Sequence, residues 1–446
     1  MRLPRLAPAQ VLSVSIVGLI LLGTVLLSLP VSWADGQHIS LLDAFFTATS
    51  AVCVTGLIVV DTPTAFSLPG QLIVLLLIQA GGLGYMVITT LVGLALGKRL
   101  SLQERLTLQE ALNVESREGI MRFTLAVFRM TLAFELAGAL ALGLWWWRDM
   151  GPRAWYVALF HSVSAFNNAG FALFSDNLMG YRGDVVVNLV VSTLVIAGGL
   201  GFVVLRELLH LRGRMKLSLH TRLVVSFTIV LIAGGTIAFY ALEWRNPATL
   251  GELPAAQALM ASYFQSVSTR TAGFNTINVG AAREPTLFLM MALMFIGASP
   301  GGTGGGVKTT TFGITVAALW STVRGRDEPV LFGRSIPAPL VARAFFISLI
   351  AFLALNVVAG LTLITEPHRL LAVLFETTSA FGTVGLSTGA ADSPLSLAGH
   401  YGAAGKLLAA AMMFMGRVGP LTLAVALARS RSRPKVRYPE GRVLIG

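Results

Sequence analysis

The chain has 446 residues, of which 55% are hydrophobic and only 12% charged, with a formal net charge of +12 and a single cysteine. A soluble fold carries charge on about a quarter of its residues and cannot hide so much apolar surface, so the composition excludes a soluble domain. Uncharged runs at 11–31, 185–205 and 223–242 reach the roughly 20 residues a helix needs to cross a bilayer, which makes lipid the solvent.

The first run follows Met1-Arg2-Leu3-Pro4-Arg5 and ends at Leu29-Pro30 without a small-residue cleavage site, so it reads as a retained crossing. Of the 33 basic residues, 22 fall in five segments, at 2–5, 98–122, 206–222, 324–343 and 429–442. These share one side of the membrane if each unit of the chain crosses twice, and by the positive-inside rule both termini are then cytoplasmic. Seven more lie in the opposite loops, and four, Arg129, Arg270, Lys308 and Arg417, fall at membrane depth. The basic excess is thus a topology signal before it is a site for acidic lipid or a protein partner, and it does not call for nucleic acid. Cys53 alone permits neither an internal disulfide nor a Cys-based metal cluster, and the six histidines lack HExxH spacing.

Taken in chain order, the predicted crossings are 11–31 and 70–97, 123–147 and 184–211, 221–243 and 286–322, and 342–365 and 403–429. Between the members of each pair lies a segment too short to span, suited to a re-entrant half-helix: 40–52, 154–166, 255–267 and 369–381. Trp145-Trp146-Trp147 falls where an outer aromatic belt belongs and reads as lipid contact. Glu135 and Arg129 share one helix, six residues apart, and are assigned structural roles.

The half-helices carry an internal repeat. Phe46 to Leu57, Phe160 to Phe171, Phe264 to Phe274 and Phe375 to Leu386 each begin with Phe, pass through a Ser/Thr-containing stretch and end on glycine followed by Leu or Phe; the third copy is one residue shorter. The glycines Gly56, Gly170, Gly273 and Gly385 are spaced by 114, 103 and 112 residues, the length of a whole two-helix unit. The expected fold is therefore an all-α integral membrane protein of four pseudo-symmetric helix, pore loop, helix repeats (1–110, 111–218, 219–332 and 333–446), with eight crossings around one central pore.

Irregular backbone at membrane depth is tolerated only where protein or a water-filled cavity surrounds it, so four such breaks imply a shared cavity. Glycine permits a backbone that turns carbonyl oxygens toward a common axis, and a ring of carbonyls replaces the water around a dehydrated cation. The candidate filter is Val54-Thr55-Gly56, Asn168-Ala169-Gly170, Thr271-Ala272-Gly273 and Thr383-Val384-Gly385.

The second helix of each unit has its own small-residue core: Ala80 to Gly84, Ala197 to Gly201, Gly297 to Gly306 and Gly416 to Pro420. Close helix packing in lipid accounts for the first two. The third, Ala298-Ser299-Pro300-Gly301-Gly302-Thr303-Gly304-Gly305-Gly306, must break the helix and leave a loop inside the membrane. A nucleotide-binding reading of Gly302 to Thr309 fails, because Val307 stands where that motif needs glycine before the lysine and no strand precedes it. Lys308 is expected near the cytoplasmic end of the broken helix, in reach of water. Arg417 lies in an otherwise uncharged run and is costly unless it faces protein or water. It serves either as a tie for loop carbonyls or as a positive charge opposing cation passage.

Together these features resemble the Trk/Ktr/HKT superfamily of potassium transporters, and specifically the membrane subunit of bacterial Ktr-type systems, over nearly the whole chain. The resemblance implies potassium as substrate at the filter carbonyls, with one filter glycine per repeat, and sodium as a possible activator. It maps the family's intramembrane gating loop to Ala298 through Gly313 and its gate arginine to Arg417. It further implies a homodimer in the bacterial inner membrane, seated on a cytosolic ring of separate regulatory subunits that bind adenine nucleotides. A sodium- or proton-coupled symporter of the same fold is the rival reading. A membrane enzyme would need a nucleophile with a base, or a metal cluster, at one depth, and no such set is evident.

Overall fold

The computed structural model describes residues 8–84, 120–211, 217–326, 328–389 and 393–427. The inner half of the second expected crossing and the basic segments at 98–119, 212–216 and 429–442 lie outside the described residues.

The described chain is helical. Its elements are α1 (Pro8–Leu27), α2 (Leu41–Val52), α3 (Thr62–Ala65), α4 (Leu68–Leu83), α5 (Ile120–Met150), α6 (Arg153–Phe166), α7 (Val185–Leu200), α8 (Phe202–Leu209), α9 (Leu219–Glu243), α10 (Ala255–Thr269), α11 (Glu284–Phe295), α12 (Thr309–Val323), α13 (Ala338–Thr365), α14 (Leu370–Gly382), α15 (Ala403–Val418) and α16 (Pro420–Leu427). Among the described residues a small antiparallel hairpin, Val330–Leu331 with Arg334–Ser335, and two isolated bridges, Trp33 with Phe66 and Ile296 with Val307, are the β pairing. Helix starts follow local chemistry. Ser40, Ser67, Asp184 and Ser218 accept the N–H of the residue three further on, capping α2, α4, α7 and α9. Proline occupies the first turn of α4, α11 and α13, where its missing N–H costs nothing.

Among the described residues four helices are long and apolar enough to cross a membrane: Ala9–Leu27, Met121–Met150, Leu219–Glu243 and Ala338–Thr365. Each is followed by one of the short helices α2, α6, α10 and α14, and each short helix packs against the long one before it. The helix after each short one then contacts the next short helix: α4 touches α6, α7 touches α10, α11 touches α14, and α15 returns to α2. The packing closes in a circle.

Two expectations are corrected here. The second helices were expected to run unbroken except in the third unit, yet α4, α7 and α15 all end at a glycine with positive φ: Gly84 (81°), Gly201 (90°) and Gly419 (87°). At Gly201 the axis between α7 and α8 bends by 109°. Glycine at these points serves a backbone conformation that L side chains rarely adopt. The small residues upstream do allow close packing, but against a helix end: a Cβ on Gly81, Gly198 or Gly416 would fall within 3.0 Å of the carbonyl of Val52, Phe166 or Phe381. The second correction concerns the tryptophan triplet. Trp146 is fully buried and meets His161 and Phe174 edge-on, so only Trp145 and Trp147 are exposed.

Candidate functional site

The circular packing brings the four predicted glycines together. Gly56, Gly170, Gly273 and Gly385 have φ of 90°, 70°, 76° and 93°. A Cβ on Gly56 would fall within 3.0 Å of Ala169 O, one on Gly170 of Ala272 O, one on Gly273 of Val384 O, and one on Gly385 of Thr55 O. Each loop thus lodges a carbonyl oxygen against the α-carbon of a neighbour, and the fourth closes on the first. Glycine is required twice over, by its dihedral angle and by this approach.

A serine four residues after each motif phenylalanine sets the loops. Ser50, Ser164, Ser268 and Ser379 each accept, at the main-chain oxygen, the N–H of the residue before the glycine: Thr55 (2.8 Å), Ala169 (2.7 Å), Ala272 (2.8 Å) and Val384 (2.9 Å). Their hydroxyls add a second tie. Ser50 and Ser379 accept Gly56 N and Gly385 N, both at 3.1 Å, whereas Ser164 donates to Phe171 O at 2.7 Å and Ser268 to Phe274 O. These serines were not singled out from the sequence, although their equal spacing from phenylalanine in all four copies was a usable signal. Two residues before the glycine, Val54, Asn168 and Thr383 are left-handed, with φ of 56°, 58° and 49°. The third loop, one residue shorter, reaches Thr271 without such a residue. Beyond the glycines a cavity of about 1130 Å³ opens, lined by all four of them and by Asp61, Asp176 and Asn177 among others.

On the opposite side lies the broken helix. Between α11 and α12 the chain forms a loop that closes on itself, with Gly297 N donating to Val307 O (2.9 Å) and Ala298 N to Gly305 O (3.2 Å). It docks on the glycine core of α7: Ser299 N donates to Gly199 O (3.0 Å), Thr303 N to Gly198 O (3.1 Å), and Phe202 N to Gly301 O (3.1 Å). Pro300 O sits where a Cβ on Gly201 would go, at 2.5 Å. The glycines of α7 are therefore a receptor for the loop as well as a packing surface.

Three cationic side chains hold the loop by its carbonyls. Arg417 donates to Thr303 O and to Gly81 O, with Gly82 O at 3.3 Å. Lys308 Nζ donates to Gly304 O at 2.7 Å, and Arg270 Nη2 to Gly297 O at 3.5 Å. Among the described residues none of the three forms an ion pair, and the pair present, Lys406 with Asp43 at 2.7 Å, involves other residues. Lys308, expected near the helix end in reach of water, is half-buried at the start of α12, and its ammonium donates to the loop. The expected loop, Ala298 to Gly313, is also too long. Helix begins at Thr309, and Gly313 packs inside α12 toward Leu223 and Phe227. Arg270, noted in the sequence only for its depth, joins the set.

The buried carboxylates brace neighbouring segments. Glu135 accepts from Gln79 (3.2 Å) and from Asn167 (2.9 Å), the residue before Asn168. Glu376 accepts from Ser387 (2.6 Å) and Ala398 N (2.9 Å), holding the chain that follows Gly385. Arg129 is not brought into the site by any contact described. A closed set of four carbonyls with no carboxylate among them has the chemistry to replace part of the hydration shell of a monovalent cation.

Residues 8–436 match the TrkH family, described as a cation transport protein. The chain is 42% identical to the Ktr system potassium uptake protein B of Bacillus subtilis, over 99% of its own length and 97% of the relative's. It is 39% identical to the protein of the same name from Vibrio alginolyticus, over 98% and 94%. With the potassium/sodium uptake protein NtpJ of Enterococcus hirae it shares 36% identity, over 99% and 98%. The crystal structure of the potassium transporter TrkH from Vibrio parahaemolyticus matches with a TM-score of 0.74 at 21% identity, covering 93% of this chain and 85% of that one, and so shares the fold.

Proposed function

The chain belongs to the TrkH family of cation transport proteins, and on that premise we propose that it is the membrane pore of a Ktr-type potassium uptake system. It is a multi-pass membrane transporter rather than an enzyme. The observation that carries the reading is the closed set of glycine loops, in which Thr55, Ala169, Ala272 and Val384 each present a carbonyl oxygen beside a neighbouring loop's glycine. In this reading the triplets ending at Gly56, Gly170, Gly273 and Gly385 form the selectivity filter. Potassium collects in the cavity beyond them, exchanges water for carbonyl oxygens and passes inward down its electrochemical gradient.

The same reading makes four units of two crossings and one half-helix, with both termini in the cytoplasm of a bacterial cell and the inner membrane as the site of action. Ala298 to Gly306, with Lys308 and Arg417, form the gate beneath the filter. The loop's docking on α7 and its three cationic ties support that role, because each is a contact that opening must exchange. The relatives are named as members of a Ktr system, which supports a separate regulatory partner: a cytosolic ring carrying adenine nucleotide, beneath a homodimer of this chain. Sodium acts as activator rather than as coupled cargo. The buried carboxylates Glu135, Glu243 and Glu376 are each engaged by two or more donors, which favours passive conduction over proton coupling.

Flux measured in proteoliposomes under defined gradients tests the proposal. Potassium uptake in large excess over sodium is expected. Equal permeation of both ions, or flux driven only by a proton gradient, overturns it.

A further inference from the structure

The loop and the glycine ring are joined by side chains as well as stacked. Thr383 Oγ1 accepts a hydrogen bond from Gly305 N at 2.8 Å. Gly305 allows this because it has no Cβ; one built there would fall within 3.0 Å of the Thr383 side chain. Thr383 is a β-branched residue at φ 49° and ψ 52°, a backbone state that persists only when its surroundings hold it. A second link runs through Asn168, also left-handed. With its amide oriented to satisfy both ends, its oxygen accepts from Thr303 Oγ1 (2.7 Å) and Gly199 N (3.3 Å), and its nitrogen donates to Thr271 Oγ1 (3.1 Å) and Val195 O (3.3 Å). The second, third and fourth ring loops are thereby tied directly or through one intermediary to Thr303 and Gly305. In the first loop, Thr55 Oγ1 is buried and has no hydrogen-bond partner among the described residues.

We infer that Thr383 and Asn168 are positioning residues that make loop and ring one coupled unit, so that moving the loop changes the cation preference of the ring and a cation in the ring favours the docked loop. The physical chain is short. Displacing Gly305 removes the donor from Thr383 Oγ1, and the left-handed backbone next to Val384 loses its side-chain tie, keeping only the local bonds of Thr383 N to Ala380 O and Val384 N to Ser379 O. Val384 O is one of the four ring oxygens, so its position moves with that backbone. Displacing Thr303 does the same to Asn168 beside Ala169. Linkage makes the effect reciprocal: whatever ion stabilises the ring geometry stabilises the loop by the same amount. The inference rests on the filter and gate roles proposed above, and it adds that selectivity and gating are not independent.

Thr383→Val tests this because it keeps the β-branched shape and removes the acceptor, while Thr383→Ser keeps the acceptor. Potassium-to-sodium permeability ratios and potassium flux are measured for both, in the full chain and in a chain with the loop shortened between Ala298 and Gly306. Coupling predicts that Thr383→Val lowers the ratio roughly three- to tenfold in the full chain, the range set by one buried hydrogen bond. Thr383→Ser lies nearer the parent, and the two variants converge once the loop is shortened. A Thr383→Val effect of the same size in both backgrounds overturns coupling and leaves Thr383 acting on the ring alone; no effect in the full chain overturns it outright. If loop shortening itself leaves flux flat in inserted protein, the gate role fails, a result distinct from either. Potassium-dependent thermal stabilisation of detergent-solubilised Thr303→Val gives a second arm. A smaller potassium-induced rise in melting temperature than in the parent is expected, and an equal rise counts against the Asn168 link.

Discussion

The four ring loops and the four second helices contain the same number of copies and have diverged to very different extents. In the ring every copy keeps a phenylalanine, a serine four residues later and a glycine, and every copy makes the same main-chain bond from the residue before the glycine to that serine. In the second helices three copies end at one positive-φ glycine, while the third opens into a loop between Phe295 and Thr309. A ring whose members each lean on a neighbour tolerates little independent change, since one altered copy disturbs two contacts. The second helices pack against the two helices of their own unit and one neighbouring short helix, outside the closed ring of carbonyls, which leaves a copy free to acquire a new task.

The largest effect that sharpens this contrast is expected at the ring. Gly273→Ala and Gly56→Ser each place a Cβ at positive φ and against a neighbour's backbone. Left-handed strain costs about 1–2 kcal/mol and overpacking about 1–3 kcal/mol, so discrimination between potassium and sodium should fall on the order of a hundredfold in bilayer recordings. Unchanged reversal potentials would remove these glycines from the filter.

Arg417→Gln comes next. A unit charge about 8 Å from a permeating cation at an effective dielectric near 20 raises its energy by roughly 2 kcal/mol, and losing it should raise flux on the order of thirtyfold. Release of Thr303 O and Gly81 O acts in the same direction. Flux that stays flat in folded, inserted protein would leave Arg417 as a structural tie only.

Removing one serine hydroxyl is milder. Ser379→Ala costs one part-buried hydrogen bond from Gly385 N, about 0.5–1.5 kcal/mol, and should lower selectivity by roughly three- to tenfold. Ser164→Ala, whose hydroxyl donates to Phe171 O past the glycine, should matter less to selectivity than to thermal stability. Equal selectivity losses in the two would show that the hydroxyls act only through overall packing.

The smallest difference separates copies of one glycine. Among the described residues a Cβ on Gly84 or Gly419 meets nothing within 4 Å, whereas one on Gly201 meets Pro300 O. Gly84→Ala should cost only backbone strain, about 1–2 kcal/mol, seen as a lower melting temperature. Gly201→Ala should also push the loop off α7 and raise flux. The same flux change in both would break the distinction between a glycine that only ends a helix and one that also receives the loop.

The apolar runs, the four glycines in register and the rupture of the third second helix were all legible in the chain itself. Hydropathy, the dihedral freedom of glycine and the helix-breaking action of proline are properties of a residue and its immediate neighbours. The breaks at Gly84, Gly201 and Gly419 were partly legible, but a single glycine in an apolar helix reads as packing until its dihedral angle is known. Trp146 shows the same limit, since three adjacent tryptophans look alike until two face outward and one meets His161.

Only tertiary structure decided which oxygen each of these cations holds. Arg417 finds Thr303 and Gly81, 114 and 336 residues away, and Thr383 finds Gly305, 78 residues away. A cation at membrane depth announces that it needs acceptors, because an unpaired charge there is costly. Which acceptors meet it depends on four helix pairs closing in a circle, and that closure comes from the summed packing of segments hundreds of residues apart.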